Sequence, residues 1–176
     1  MSNSVKRMSS CVLRMFLLAG ALALPTGAAS ALEVGDRAPS FNADKLTGEG
    51  TLSLDAYKGK VVYLDFWASW CGPCLKALPM VDKMRKDLPA KDFAVVAINV
   101  DRDKKAALRF LKDQGISYPS AADPDGRLPQ LFQIETMPTS FVIDRKGVIH
   151  HIHRGFSPGD MDSIRKEINA ALRKGK

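Results

Sequence analysis

Residues 61–74 read Val61-Val62-Tyr63-Leu64-Asp65-Phe66-Trp67-Ala68-Ser69-Trp70-Cys71-Gly72-Pro73-Cys74, and they hold the most informative pattern in the chain. The first seven are a nearly continuous apolar run of β-branched and aromatic type, which predicts a buried central strand. The apolar residues that follow recur at spacings of three and four, which predicts an amphipathic helix kinked by Pro79. Its apolar face would carry Cys74, Leu78, Val81, Met84 and Leu88.

Further strands and helices are predicted on both sides of this stretch. Residues 93–100 form a second apolar run, and Asp103 can cap a following helix that ends at Gly115. A strand, helix, strand, helix order implies parallel pairing and an α/β fold. The other predicted elements are a turn-rich hairpin or loose strand at 32–51, an extended stretch at 118–122, a short helix at 128–132, an antiparallel hairpin of 139–143 with 148–153, and a last helix opened by Ser157 and Asp160.

The first 31 residues are typical of a secretory signal peptide. A basic stretch with Lys6, Arg7 and Arg14 precedes an apolar run at 15–24, and Ala29-Ser30-Ala31 forms a cleavage site of small residues. The apolar run is shorter than the roughly 20 residues of a spanning helix, although its extension past Pro25 would allow a retained membrane anchor. We therefore expect cleavage after about Ala31, export, and one domain at 32–176.

Charge and cysteine content narrow the possible functions of that domain. The leader holds three of the 26 basic residues and none of the 19 acidic ones, so the remaining net charge is a mild and dispersed +4, a poor match to nucleic acid. Loss of Cys11 with the leader leaves only Cys71 and Cys74, in a compartment that permits disulfides. Because a bond closing so short a loop stabilises little, the pair is better suited to chemistry than to structure.

The position of the cysteines indicates how they would react. The unpaired N–H groups and positive dipole end at a helix N-terminus favour a thiolate, so Cys71 is the expected nucleophile. Cys74 lies one helical turn further along the apolar face, and can attack a mixed disulfide as the resolving thiol. Half of a zinc site is the structural alternative, with His150, His151 and His153 as the only histidines. Solvated histidines on an edge strand are the simpler interpretation, and we expect no metal.

The chain resembles the thioredoxin superfamily, and within it the secreted TlpA/ResA branch, over essentially all of its length after the leader. The superfamily resemblance rests on residues 65–74 and Pro79. The resemblance to the secreted branch rests on the motif Gly35-Asp36-x-Ala38-Pro39-x-Phe41, an extra strand-helix segment at about 100–118, and the hairpin sequence at 141–147. It implies a thioredoxin-like fold, in which a central mixed β-sheet is flanked by helices and carries an N-terminal extension and a strand-helix insertion.

The resemblance also implies a set of site residues. Cys71 and Cys74 would form the redox-active disulfide, and Asp65 would be the buried acid that accepts a proton from the resolving thiol. Pro138, in Met137-Pro138-Thr139, would be a cis-proline facing the sulfurs. The substrate-binding residues would be Met137 through its backbone, together with Trp70, Gly72 and Pro73, while Trp67 is expected in the core.

The expected function is a reductase of disulfides in exported, periplasmic client proteins, re-reduced by a membrane-embedded dithiol donor and using no cofactor. A disulfide oxidase or isomerase with the same residues is the main alternative, and a metal-binding or thiol-carrier module is a further one. Ala77 replaces a glutamate that many members concerned with cytochrome c maturation carry, so that role is in doubt. Ala97 stands where cytosolic thioredoxins usually have a lysine near the buried acid.

Overall fold

A five-stranded mixed β-sheet lies at the centre of the computed structural model, which describes residues 31–174. The predicted signal peptide falls almost wholly outside the described residues. The strand order is β5-β4-β3-β6-β7, in which β3 pairs in parallel with β4 and antiparallel with β6. The sheet comprises β3 (Val61–Trp67), β4 (Phe93–Asn99), β5 (Ser120–Ala122), β6 (Thr139–Ile143) and β7 (Ile149–Arg154). The predicted α/β, thioredoxin-like fold is confirmed.

Both faces of the central strand are buried, because helices and loops cover the sheet on each side. Alternate residues of a strand point to opposite faces. Tyr63 and Trp67 therefore pack with the helices of one face, whereas Leu64 and Phe66 pack with the N-terminal extension and a short helix on the other. Asp65 has the parity of Tyr63 and Trp67, so it points toward the helical face that also contains both cysteines.

The α-helices of the described residues are α1 (Gly72–Lys86), α2 (Lys104–Asp113), α3 (Arg127–Leu131) and α4 (Met161–Arg173). The predicted cap of α2 is confirmed, since the N–H of Lys105 donates to Oδ1 of Asp103 at 3.0 Å. Helix α1 contains Pro79 but ends before Leu88, which the periodicity had placed on the helix. Pro89 explains the early end, because a residue before proline is biased away from helical conformation. Among residues 31–174, no helix is long and apolar enough to span a bilayer.

The N-terminal extension contacts both edges of the sheet. It contains the antiparallel hairpin β1 (Asn42–Asp44) and β2 (Thr51–Ser53), as predicted. Ahead of this hairpin, the N–H of Gly35 donates to the carbonyl of Ile149 at 2.9 Å, and Arg37 forms a bridge with Val148 at the start of β7. After β1, Lys45 forms a bridge with Ala121 of β5. The extension thus covers edge strands at opposite sides of the molecule.

Candidate active site

Cys71 and Cys74 form a disulfide at the N-terminus of α1, with their Cα atoms 5.3 Å apart. Cys71 is the N-cap residue, and its Sγ accepts a hydrogen bond from the N–H of Cys74 at 3.3 Å. The two cysteines differ in access: Cys71 is 5% exposed, whereas Cys74 is fully buried. An attacking reagent can therefore approach only the first sulfur without displacing other atoms. This arrangement is suited to thiol-disulfide exchange, in which one sulfur meets the partner and the other completes the reaction.

The two tryptophans that precede the disulfide, Trp67 and Trp70, differ in their exposure to solvent. Trp67 is fully buried, and its indole N–H donates to Oγ of Ser120 at 3.2 Å, so it belongs to the core as expected. Trp70, directly before Cys71, is 68% exposed. Its aromatic face is therefore accessible to a partner that docks beside the disulfide.

A buried carboxylate that the sequence analysis missed holds the loop before Cys71. Asp101 accepts hydrogen bonds from the N–H and the hydroxyl of Ser69, at 2.9 and 3.0 Å, and from the side-chain amide of Asn99 at 2.8 Å. The carbonyl of Trp67 also accepts from the N–H of Val100 at 3.1 Å. Asp101 and Ser69 lie 32 residues apart, so no local sequence signal could reveal the contact.

We expect the Asp101→Ala variant to be less stable by about 1–3 kcal/mol, because it leaves the partly buried donors of Ser69 and the buried amide of Asn99 unpaired. Denaturant unfolding of the oxidised protein measures this loss. Acrylamide quenching of tryptophan fluorescence should also increase if release of this loop exposes the buried Trp67. Asp125→Ala, at an exposed turn residue, serves as the control. Equal stability of the two variants would show that Asp101 does not hold the loop.

Asp65 lies in the middle of β3 and is only 1% exposed. Its register partners are Ala97 of β4 and Ser140 of β6. One carboxylate oxygen, Oδ2, has no hydrogen-bond partner in the part of the chain that the structure describes. Burial raises the pKa of Asp65 to about 8, because the charged form loses its hydration without gaining a partner. An acid with this pKa exchanges protons near neutral pH.

Two buried tyrosines share the surroundings of Asp65. Burial, followed by the charge of Asp65, raises the pKa of the Tyr63 phenol. Burial and the same charge also raise the pKa of Tyr118, whose hydroxyl donates to the carbonyl of Leu78 at 3.4 Å. Both phenols therefore stay neutral. With Ala97 as the neighbour on β4, these side chains give the carboxylate a neutral environment.

The peptide bond between Met137 and Pro138 is cis, the isomer that the resemblance implied. It lies directly before β6, where the hydroxyl of Thr139 donates to the carbonyl of Thr136 at 2.8 Å. The carbonyl of Pro138 accepts from the N–H of Gly155 at 2.7 Å, which ties the turn to the end of β7. Met137 packs against the core cluster that contains both cysteines. The predicted proline turn and the disulfide thus adjoin the same cluster.

The three histidines lie on edge strand β7, but they are not solvated as the sequence analysis expected. All three are only partly exposed, and Nε2 of His150 and of His153 is buried without a hydrogen-bond partner among the described residues. The ring centroids of His151 and His153 are 4.3 Å apart. Within residues 31–174, no three potential ligand side chains are close enough to hold a metal ion together. The expectation of solvation was wrong because α4 and the N-terminal extension cover this part of the sheet.

Comparisons with known proteins agree with this geometry. The Redoxin family matches residues 33–172. The thiol-disulfide oxidoreductase ResA of Bacillus cereus is 32% identical over 118 residues, which cover 67% of this chain and 68% of the relative. A structure from Chlorobium tepidum, described as a DsbE thiol:disulfide interchange protein, aligns with a TM-score of 0.76 and 43% identity over 81% of this chain and 99% of the other. A structure from Bacteroides thetaiotaomicron, described as a protein disulfide isomerase, aligns with a TM-score of 0.73 and 30% identity. The alignment covers 82% of this chain and 92% of the other.

Proposed function

The chain belongs to the Redoxin family and is a ResA-like thiol-disulfide oxidoreductase of the thioredoxin superfamily, and on this basis we propose that it reduces disulfides in exported client proteins. Electrons would come from a membrane-embedded dithiol donor that restores the two thiols after each cycle. The leader-like sequence at 1–31 supports an extracytoplasmic, periplasmic location, either free or anchored.

The absence of a stabilising polar side chain between the two cysteines is the observation that most favours the reducing direction. A strong oxidant owes its high potential to a stabilised reduced form. Here Gly72 has no side chain and Pro73 has neither a polar side chain nor an N–H, so the hydrogen bond from the N–H of Cys74 is the contact that the structure provides. When Asp65 is ionised, its uncompensated charge further disfavours a negative sulfur. Both effects shift the equilibrium toward the disulfide and make the dithiol a good reductant.

The proposed cycle uses each cysteine once. The Cys71 thiolate attacks one sulfur of the client disulfide, so that a mixed disulfide forms and the other client sulfur leaves as a thiolate. Asp65 then accepts the proton of the Cys74 thiol, and the resulting thiolate attacks Cys71. The second client sulfur leaves, the Cys71–Cys74 disulfide forms, and the client has gained two electrons.

Client docking would use the exposed surface beside the disulfide. Trp70 offers an accessible aromatic face, and Gly72-Pro73 leaves the approach to Cys71 free of bulky side chains. By resemblance, Met137 would pair through its backbone with an extended client segment, while cis-Pro138 faces the sulfurs. Strand addition of this kind tolerates many client sequences, because the hydrogen bonds involve main-chain groups.

The reduction potential tests the proposed direction. We expect the Cys71/Cys74 couple of residues 32–176 to lie near that of thioredoxin, at about −270 mV, and below glutaredoxins at about −200 to −230 mV. Equilibration with defined thiol-disulfide buffers, followed by tryptophan fluorescence, gives the value. Pro73→His is the matched variant: a histidine beside the sulfurs can stabilise a thiolate, so its potential should rise by roughly 30 mV or more.

A reduction potential of about −120 mV, in the range of a strong disulfide donor, would instead support an oxidase. A reduction potential of about −180 mV would support an isomerase. The isomerase is the second candidate because of the structural similarity to the Bacteroides thetaiotaomicron protein. Refolding of a scrambled disulfide protein separates the two, because an isomerase restores native pairing without net oxidation.

A further inference from the structure

A cavity of about 230 Å³ lies at the end of the sheet remote from the disulfide. It is bounded by the N-terminal extension at 37–40, the turn at 54–60 before β3, and the turn at 143–147 between β6 and β7. Val62, at the start of β3, also lines it and belongs to the core cluster of the face away from the cysteines. Val62 and Trp67 are roughly 17 Å apart along the strand, so a molecule in the cavity leaves the approach to Cys71 open.

Most of the charged side chains around the cavity are basic. The two carboxylates that line it, Asp55 and Asp144, are already engaged: Asp55 pairs with Lys58 at 3.2 Å, and Asp144 accepts from two N–H groups of its own turn at 2.8 and 2.9 Å. Arg145 is neutralised by Asp92, at 3.1 Å. The basic residues of the lining are Arg37, Lys58, Lys60, Arg145 and Lys146.

Three of these cations, Arg37, Lys60 and Lys146, form no salt bridge among residues 31–174. The guanidinium of Arg37 lies against the turn at 143–147, because its Nη1 donates to the carbonyl of Lys146 at 2.9 Å. The ammonium of Lys60 donates to the carbonyl of Ala90 at 2.8 Å, which leaves its charge uncompensated. A concave site lined by charges of one sign focuses the electric field and concentrates ions of the opposite sign.

The remainder of the lining is largely apolar, and it limits what kind of anion fits. It comprises Ala38, Leu54, Val62 and Ile143, together with the partly exposed Tyr57. An inorganic ion would pair with the cations but leave this apolar lining in contact with water, whereas an anion attached to an apolar group would cover both. The volume is below the roughly 300–1,000 Å³ of sites for drug-sized ligands, so the occupant must be small.

We propose that this cavity binds a small organic anion, in which a phosphate or carboxylate is attached to an aromatic or aliphatic group. The anionic group contacts Arg37, Lys60 and Lys146, and the free N–H groups of the Arg37 guanidinium suit either kind of oxyanion. The apolar group packs against Leu54 and Tyr57. No bond forms or breaks at this site, and binding does not depend on the direction in which the disulfide transfers electrons.

Titration calorimetry of the oxidised protein with phenyl phosphate tests the site. We expect a Kd below about 1 mM, and binding about tenfold or more weaker for inorganic phosphate, which lacks the apolar group, and for benzyl alcohol, which lacks the charge. Arg37→Gln combined with Lys146→Gln should weaken the binding of phenyl phosphate about tenfold. Lys83→Gln combined with Lys91→Gln is the matched control, since it removes the same charge from exposed positions outside the lining, and its affinity should remain that of the wild type.

Amide chemical shifts locate the bound phenyl phosphate. They should change at 37–40, 57–60 and 143–147 but not at 70–74. Absence of binding at millimolar concentration, equal binding of phenyl phosphate and inorganic phosphate, equal weakening in the two double variants, or shifts centred on 70–74 would each overturn the proposal. The proposed reductase function is unaffected by any of these results, because the test uses only the oxidised protein.

A lipid headgroup and a free molecule can supply the same anion, and vesicles separate these sources. Co-sedimentation with phosphatidylcholine vesicles that contain phosphatidic acid, abolished by the Arg37 and Lys146 substitutions, would assign the headgroup. Binding of phenyl phosphate without co-sedimentation would assign a free molecule. Either result supports the anion site.

Discussion

A Cys74→Ala variant is expected to stop halfway through the reaction and to accumulate as a mixed disulfide on Cys71. In a protein of residues 32–176 no other thiol remains to attack the mixed disulfide. A Cys71→Ala variant should lose the reaction almost entirely, by about a thousandfold or more, because its remaining thiol is fully buried within the first turn of α1. The two substitutions remove equal numbers of sulfur atoms, so each controls for the other.

Thiolate release from dithiobis(nitrobenzoate) measures both outcomes. Reduced wild-type protein of residues 32–176 should release two coloured thiolates per molecule, one for each step of exchange. Cys74→Ala should release one rapidly and retain the second group, which intact-protein mass spectrometry detects as an adduct. Equal rates for Cys71→Ala and Cys74→Ala would show that access does not distinguish the sulfurs, and the assignment of nucleophile and resolving thiol would fail.

An Asp65→Asn variant is expected to gain stability relative to the wild type as the pH rises from about 4 to about 8. The folded-state pKa of Asp65 is about 8, above the ordinary value of 3.8. Between these values the folded state holds a proton that the unfolded state has lost, so wild-type stability decreases as pH rises. Each pH unit corresponds to about 1.4 kcal/mol, giving a maximum of about 6 kcal/mol over this range. Asparagine does not ionise and removes this pH dependence.

Denaturant unfolding of the oxidised proteins at a series of pH values measures the difference. The stability gap between Asp65→Asn and the wild type should widen toward higher pH and become constant above about pH 8. Asp44→Asn, at an exposed position of β1, is the control for a general effect of removing one negative charge. A gap that does not change with pH would mean that Asp65 is already ionised in the folded protein, and therefore a poor proton acceptor.

The sequence predicted the strands and helices around the site well, because their patterns are local. The apolar β-branched run at Val61–Trp67 and the helical spacing after Cys74 depend only on neighbouring residues. The end of α1 was less well predicted, since Leu88 continues the apolar spacing although the chain has turned before Pro89. The spacing of apolar residues alone does not show where a helix ends.

The parts of the site that sequence analysis missed depend on contacts between distant residues. Asp101 has no motif of its own, and its importance arises from Ser69, which lies 32 positions away. His153 was interpreted as a solvated edge residue because nothing near it in sequence indicates that α4 covers that face. Asp65 was identified through resemblance, but only the register of β3 with β6 reveals that its neighbour is Ser140.

The N-terminal extension, which bridges to both outer strands of the sheet, has a consequence for selectivity. Exposed strand edges pair readily with other extended chains, including unfolded proteins in transit. Val148 and Ala121 are engaged by the protein's own Arg37 and Lys45, so two of the positions where a foreign chain could add are occupied. For a protein proposed to reduce disulfides in exported clients, protection of these strand edges would direct extended client segments to the cis-proline turn and reduce coaggregation with the clients.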